Sequence, residues 1–258
     1  MVAGGFDSAG GNKEKDTAVS FDIFSIFVIC VIGLFSLGIY ALSEVGVIGR
    51  ISRMVSSQDF VLAVEPERFD IDGSVRKIII ESPDCELTVR TGKEHSVISR
   101  GSARVTADSR KTAENLLSSR KVVFYKSGDT LYISFNTPSS GDGHGFYARM
   151  TGYTVIVPED IDIEINNGRY LKISADNLKS NWLVENSGKV EIRLPGSADA
   201  RVKAVVDDRE SLEGNAEWKI TGNDAKDTNP PHSIVGEAVF GSGSYSINVM
   251  GGDIIVNY

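Results

Sequence analysis

The stretch IFSIFVICVIGLFSLGIYAL, residues 23–42, runs for twenty positions without a charged side chain. As a helix at about 1.5 Å per residue it reaches roughly 30 Å, the thickness of a bilayer's hydrocarbon core. A buried helix of a soluble domain keeps a polar face over such a length, and this run has none. A secretory leader has a shorter apolar centre of ~7 to 15 residues, and no small-x-small cleavage site follows Ala41, Leu42 and Ser43. The run therefore predicts an uncleaved transmembrane helix over 23–42, with the lipid bilayer as its partner. It contains nothing ionisable that could carry an ion or relay a proton. Gly33 and Gly38 are five apart, so they do not form the four-residue small face of tight helix dimers. Tethering is the role that remains.

The flanks of this run differ from each other. Residues 1–22 are rich in Gly, Ser, Lys and Asp and bury too little apolar surface to offset the entropy of ordering, which predicts a disordered tail. On the other side, SEVGVIGRISRMVSS places Val47, Ile48, Ile51, Met54 and Val55 at helical spacing, which predicts a juxtamembrane amphipathic helix or linker over 43–58. Lys13 and Lys15 on one side balance Arg50 and Arg53 on the other, so the basic residues do not choose an orientation. A short tail inside and a long domain outside is the commoner arrangement. The expectation is a single-pass cell-membrane protein with a cytoplasmic N-terminus and an extracytoplasmic domain.

From residue 59 to 258 the apolar period changes to two. FVLAV from Phe60, RKIIIES from Arg76, ELTVRT from Glu86, HSVISRGSARV from His95, KVVFYK from Lys121 and TLYISFN from Thr130 alternate in this way. So do YTVIVP from Tyr153, IDIEIN from Ile161, YLKIS from Tyr170, NWLVEN from Asn181, KVEIRL from Lys189, ARVKAVV from Ala200 and AEWKITG from Ala216. Gly, Asn, Asp and Pro separate the runs, which is the pattern of an all-β domain. One exception is DSRKTAENLLSSR, residues 108–120, read as a short helix capped by Asp108 that turns Ala113, Leu116 and Leu117 to one side.

Two architectures fit. A β-solenoid-like domain stacks the strands as successive turns of chain, supported by the polar corners at Asn167-Gly168, Asn186-Ser187-Gly188, Pro195-Gly196, Glu213-Gly214-Asn215 and Gly222-Asn223-Asp224. The alternative is a β-sandwich, in which Asn167-Gly168 makes a two-residue hairpin. The closing GSYSINVMGGDIIVNY is expected to cap the stack, with Tyr245, Ile247, Val249, Ile254, Val256 and Tyr258 inward and a corner at Gly251-Gly252.

Chemistry-bearing residues are sparse. A formal charge of -8 and a pI near 5.0, with Lys and Arg scattered singly, exclude a nucleic-acid partner. His95, His144 and His232 are far apart and fit no nucleophile or metal pattern. The Gly-rich SSGDGHGFY around His144 lacks the spacing and the Lys of a phosphate-cradling loop. Asp207-Asp208 and NDAKD at 223–227 could offer oxygens to a hard cation, but neither has calcium-loop spacing with its terminal Glu, so both are read as solvated turns. Cys30 lies in the apolar run, and Cys85 has no basic neighbour to lower its pKa and is read as a structural thiol. No residue is assigned a catalytic, cofactor or metal role, and the expectation is a non-enzymatic protein.

The succession YTVIVPEDIDIEINNGRYLKIS, ENSGKVEIRLPGS and GSGSYSINVMGGDIIVNY resembles the putative adhesin family of prokaryotic envelope proteins, as do the strands from Arg76, the helix-then-strands unit KTAENLLSSRKVVFYKSGDTLYISF and the preceding membrane helix. The resemblance covers residues 76–258, and residues 205–231 depart from it by being longer and more polar than a regular turn. It implies a β-solenoid or β-helix-like domain of unassigned function, presented for binding an envelope protein or polymer or for self-association. A signalling or envelope-stress regulator, whose β-domain modulates a partner, is the alternative. A hydrolase would need a clustered acid, base or nucleophile, which the sequence does not display.

Overall fold

A computed structural model describes residues 23–44, 57–81, 85–118, 120–135, 146–221 and 234–258. The chain divides between Ser52 and Arg53 into two units. The expected tail over 1–22 and most of the juxtamembrane segment lie outside the described residues.

In the first unit, helix α1 (Ile23–Glu44) is 22 residues long, and its described side chains are all exposed, Phe27, Leu34 and Phe35 among them. It is long and apolar enough to cross a membrane. The hydroxyl of Ser36 donates to the carbonyl of Ile32 at 2.8 Å, so this polar group is satisfied within the helix.

The second unit is all-β with one short helix. Its elements are β1 (Gln58–Asp70), β2 (Lys77–Glu81), β3 (Glu86–Gly92), β4 (Ser96–Ala107), α2 (Arg110–Ser118), β5 (Val122–Ser127), β6 (Thr130–Phe135), β7 (Tyr147–Pro158) and β8 (Asp162–Asn167). They continue with β9 (Leu171–Ser174), β10 (Trp182–Asn186), β11 (Val190–Arg193), β12 (Ala200–Val206), β13 (Leu212–Gly214), β14 (Lys219–Thr221), β15 (Ile234–Phe240), β16 (Tyr245–Gly251) and β17 (Ile254–Asn257). An eight-stranded sheet runs β1-β4-β7-β3-β9-β11-β17-β13, and a nine-stranded sheet runs β14-β15-β12-β16-β10-β8-β2-β6-β5. Both sheets are mixed and open.

Consecutive strands β2 and β3, β8 and β9, β10 and β11, β12 and β13, and β16 and β17 each send one member to each sheet. Neighbouring pairs run parallel and follow the same order in both sheets. Antiparallel strands β4, β1 and β5 extend one end, and β15 and β14 the other.

Parallel register aligns like residues into rows. Ile78, Ile163, Trp182, Ile247 and Val202 form one inward row of the larger sheet, and Leu87, Leu171, Val190 and Ile254 face it from the smaller one. Each of these side chains is at most 2 % exposed. Full burial of one such aliphatic stabilises by ~1.5 to 3 kcal/mol, so the rows dominate the folding energy.

The hairpin alternative and one expectation are corrected. Asn167-Gly168 is a corner and makes no hairpin, because the strands it joins, β8 and β9, lie in different sheets. Asn167 is buried in the corner, where its Nδ2 donates to Oδ1 of Asn186 at 2.8 Å, and the amide of Ser187 donates to the carbonyl of Asn167 at 3.2 Å. The corner is thus fastened to the next turn of chain instead of to its own return strand. The closing strands do not cap the stack either. β16 lies between β12 and β10, and β17 between β13 and β11. Ile247, Val249, Ile254 and Val256 are buried as expected and Gly251-Gly252 forms the corner, but Tyr245 is half-buried and Tyr258 is 52 % exposed.

β13 meets the inserted strand closely. Gly214 has φ +101°, and a Cβ there would stand 2.1 Å from the carbonyl oxygen of Val256. Gly214→Ala combines a disfavoured backbone conformation with a backbone clash, and is expected to destabilise the domain by at least ~1 to 3 kcal/mol. Urea denaturation checks this, and an unchanged midpoint would contradict the packing.

α2 occupies the expected place, with Ala113 and Leu117 buried and Leu116 half-buried against β1, β4 and β7. Its cap differs. The amide of Thr112 donates to Oγ of Ser109 at 3.3 Å, so Ser109 replaces Asp108 at the N-cap.

Candidate functional site

Among the described residues, those singled out in the sequence are not brought together. His95 lies in the turn before β4, beside a shallow cavity of about 450 Å³ that it shares with Asp72, Arg76 and Asp160. His144, His232, the Gly-rich loop and residues 223–227 fall outside the described residues. Asp208 accepts from the amide of Ser211 at 2.9 Å and from its hydroxyl at 3.0 Å, which caps a 3-10 turn at Arg209–Ser211. Its carboxylate therefore organises the chain leading into β13. Cys85 is buried, with Sγ 3.6 Å from the carbonyl of Glu86. Among the described residues no three His, Cys, Asp or Glu side chains gather in a metal-binding group.

The surface offers three other features. The widest is an open cleft of about 870 Å³ along the corner where β2, β8, β10 and β16 end. Glu81, Asn166, Glu185 and Met250 stand in one outward row along it. Behind them the Asn167–Asn186 contact stops at Gly251, and Nδ2 of Asn186 is buried without a hydrogen-bond partner among the described residues. A groove of about 550 Å³ separates β1 from α2, with Glu65, Glu67 and Glu114 facing Arg110, Arg120 and Lys121. Arg120 is buried there, its Nη2 donating to the carbonyl of Ala148 at 2.7 Å. The third feature is the outer face of β4 and β7, which carries Arg100, Arg104 and Arg149.

Charge elsewhere on the sheets is compensated across neighbouring strands. Lys77 on β2 reaches Glu164 on β8 at 2.6 Å, and Arg201 on β12 reaches Glu237 on β15 at 3.3 Å. The hydrogen bond from Lys77 holds the Glu164 carboxyl below its ordinary range. The Tyr170 hydroxyl donates to Glu191, which pushes the phenol up to about 12 with help from its partial burial. Such pairs contribute ~0 to 1 kcal/mol each at a surface and mainly fix register. Tyr153 is buried between the sheets, against Phe135 at 4.5 Å between ring centroids, and burial raises its phenol to about 12.

Asp199 pins the turn that leads into β16. Hydrogen bonds from the hydroxyl and amide of Ser244, and from the hydroxyl of Ser242, lower its carboxyl from 3.8 to about 2. A depressed folded-state value contributes stability that is present above the ordinary carboxylate range and lost as pH falls through about 2. Asp199→Ala should therefore lower the melting temperature at neutral pH, and the gap from wild type should close as pH falls from 3.8 to about 2. A gap that persists at the acid end would refute this assignment.

No protein-family model matches the chain, and no curated protein matches it. Among solved structures, one described as a putative cell adhesion protein from Clostridium sporogenes aligns over 78 % of this chain and 98 % of its own, at 16 % identity and a TM-score of 0.39. Another, described as a putative adhesin from Bacteroides fragilis, aligns over 77 % of this chain and 96 % of its own, at 9 % identity and a TM-score of 0.22. The functional reading rests on the chain's own residues.

The arginines on β4 and β7 were missed by the sequence reading. Arg100 and Arg104 occupy alternate positions in HSVISRGSARV, a signal that they share the outward face, but Arg149 precedes the run read as a strand from Tyr153.

Proposed function

We propose that this chain is a single-pass, non-enzymatic envelope protein whose β-solenoid-like domain is held at the membrane by α1 and presented on the extracytoplasmic side for binding. The observation that carries the reading is α1 itself. It is a 22-residue apolar helix whose described side chains are all exposed and whose hydroxyl of Ser36 is satisfied internally. A surface of that kind is stable in lipid and unstable in water. The repeated two-strand turns support the solenoid-like description, because each turn buries its inward face only against its neighbours. Open strand faces and corner clefts are suited to an envelope protein, an envelope polymer or a second copy.

Alkaline carbonate washing of membranes tests the anchor. The full-length chain is expected to stay in the pellet at its uncleaved length, and deletion of 23–42 should release it. Release of the full-length chain by carbonate, or recovery of a shortened chain, would overturn the reading.

A further inference from the structure

Arg104 on β4 and Arg149 on β7 are register partners across an antiparallel pair. Strand alternation places both on the outer face together with Arg100, since the intervening Ala103, Val105 and Met150 are buried while all three arginines are exposed. Side chains directly opposite each other have Cβ atoms about 4.5 to 5.5 Å apart, and like charges there repel. Other cations on these sheets face carboxylates, as Lys77 faces Glu164 and Arg201 faces Glu237. Among the described residues, the side chains of Arg100, Arg104 and Arg149 have neither an ion pair nor a hydrogen bond. Of the nearby carboxylates, Asp59 accepts the hydroxyl of Thr106 at 2.6 Å, Glu65 lies at the β-bulge opposite Arg100, and Glu86 lines a cavity together with Arg100, and none of them forms an ion pair with these arginines. The Arg104–Arg149 pair is therefore open to an external anion.

What surrounds the arginines narrows its chemistry. Val61, 73 % exposed, stands in the same row as Arg104 and Arg149, and Tyr147, 48 % exposed, stands in the next. Guanidinium groups bind phosphate through paired N–H donors, while an exposed tyrosine and an aliphatic side chain suit the boundary between headgroups and acyl chains.

We propose that the outer face of β4 and β7 docks on anionic phospholipid headgroups, an inference that rests on the anchor reading above. The chain as a whole carries -8, so this pair of unpaired guanidinium groups is a local point of attraction for an anionic surface. Three arginines give a weak association for a free domain. Tethering supplies a high effective concentration of lipid and makes a weak patch sufficient.

The test uses the full chain with Cys30→Ala, Cys85→Ala and a fluorophore on Ala63→Cys, an exposed position of β1 facing Ser102 on this surface. The chain is placed in nanodiscs of phosphatidylcholine alone or mixed with phosphatidylglycerol, each doped with a headgroup-nitroxide lipid. Quenching is expected to rise several-fold with phosphatidylglycerol and to fall to the phosphatidylcholine level in high salt or in Arg100→Gln/Arg104→Gln/Arg149→Gln. Equal quenching in both lipids, or retained quenching in the triple variant, would overturn the proposal. So would binding of soluble poly(glycerol phosphate) without lipid-dependent quenching, which would assign the face to a phosphate polymer. Failure of the chain to co-elute with the discs would count against the anchor instead. Co-sedimentation with vesicles of the two compositions then reads the patch alone, and indifference to phosphatidylglycerol there overturns it.

Discussion

Ending the chain at Asp253 is expected to leave the β-domain without a cooperative thermal transition. The missing residues are an interior strand, since β17 pairs with β11 on one side and β13 on the other. Ile254 and Val256 are fully buried, and their loss forfeits ~1.5 to 3 kcal/mol each before any cavity is counted. Backbone groups of both neighbours are orphaned as well. The amide of Leu194 donates to the carbonyl of Asn257 at 2.9 Å, and that of Asn215 to the carbonyl of Val256 at 3.1 Å. Leu194 is buried, and an orphaned buried group costs ~1 to 3 kcal/mol, so the sum reaches the lower part of the ~5 to 15 kcal/mol that holds a typical domain together. Near-ultraviolet dichroism and scanning calorimetry of the truncated and full-length chains decide the matter. A truncated chain that melts sharply within a few degrees of the full-length one would contradict the interior placement of β17.

Trp182→Ala should produce the largest effect of any single core substitution. Trp182 is 1 % exposed in the middle of the inward row, between Ile163 and Ile247, and its Nε1 donates to Oγ of Ser180 at 3.1 Å. Truncation leaves a cavity lined by rigid strands that cannot collapse into it, and strips a buried hydroxyl of its partner. A buried aromatic reduced to alanine costs ~3 to 5 kcal/mol. For a domain of this size that corresponds to a fall in melting temperature on the order of 10 °C. Trp182→Phe keeps most of the volume and should recover more than half of the loss. A change below ~1 kcal/mol in the alanine variant would place Trp182 outside the core.

Much of this fold was legible in the sequence, and the parts that were not share a physical cause. The uncharged run at 23–42 admits few environments, so α1 follows from composition alone. Alternation of apolar residues fixes which face of a strand turns inward, and Ile78, Ile80, Ile163 and Ile165 are all buried as that pattern requires. Alternation says nothing about which strand lies alongside. The insertion of β16 and β17 between earlier strands depends on how inward rows fit one another, information spread over residues far apart in the chain.

Asn167-Gly168 left both architectures open for a related reason. The dipeptide suits a hairpin when its flanking strands share a sheet, but here the buried Asn167 amide bonds to the next turn and sends β9 to the facing sheet. The alternating run starts at Tyr153, whereas β7 starts earlier, because its register slips opposite Ser102 and Ala103 and breaks the alternation there. The strand begins at Tyr147, which is what sets Arg149 opposite Arg104. The candidate histidines and Asp207-Asp208 were weighed as chemistry on residue type. Their surroundings, a shallow cavity for His95 and a cap for Asp208, became visible only with the fold.

The claim that a membrane-held β-domain faces outward is tested most directly by site-specific labelling. Lys111 is exposed on α2 and clear of the strand pairings. With Lys111→Cys as the sole thiol, in a Cys30→Ala, Cys85→Ala background, intact cells are treated with a membrane-impermeant maleimide and compared with lysed cells. Labelling in intact cells equal to that after lysis is the predicted result. Labelling that appears only after lysis would place the β-domain in the cytoplasm and contradict the account.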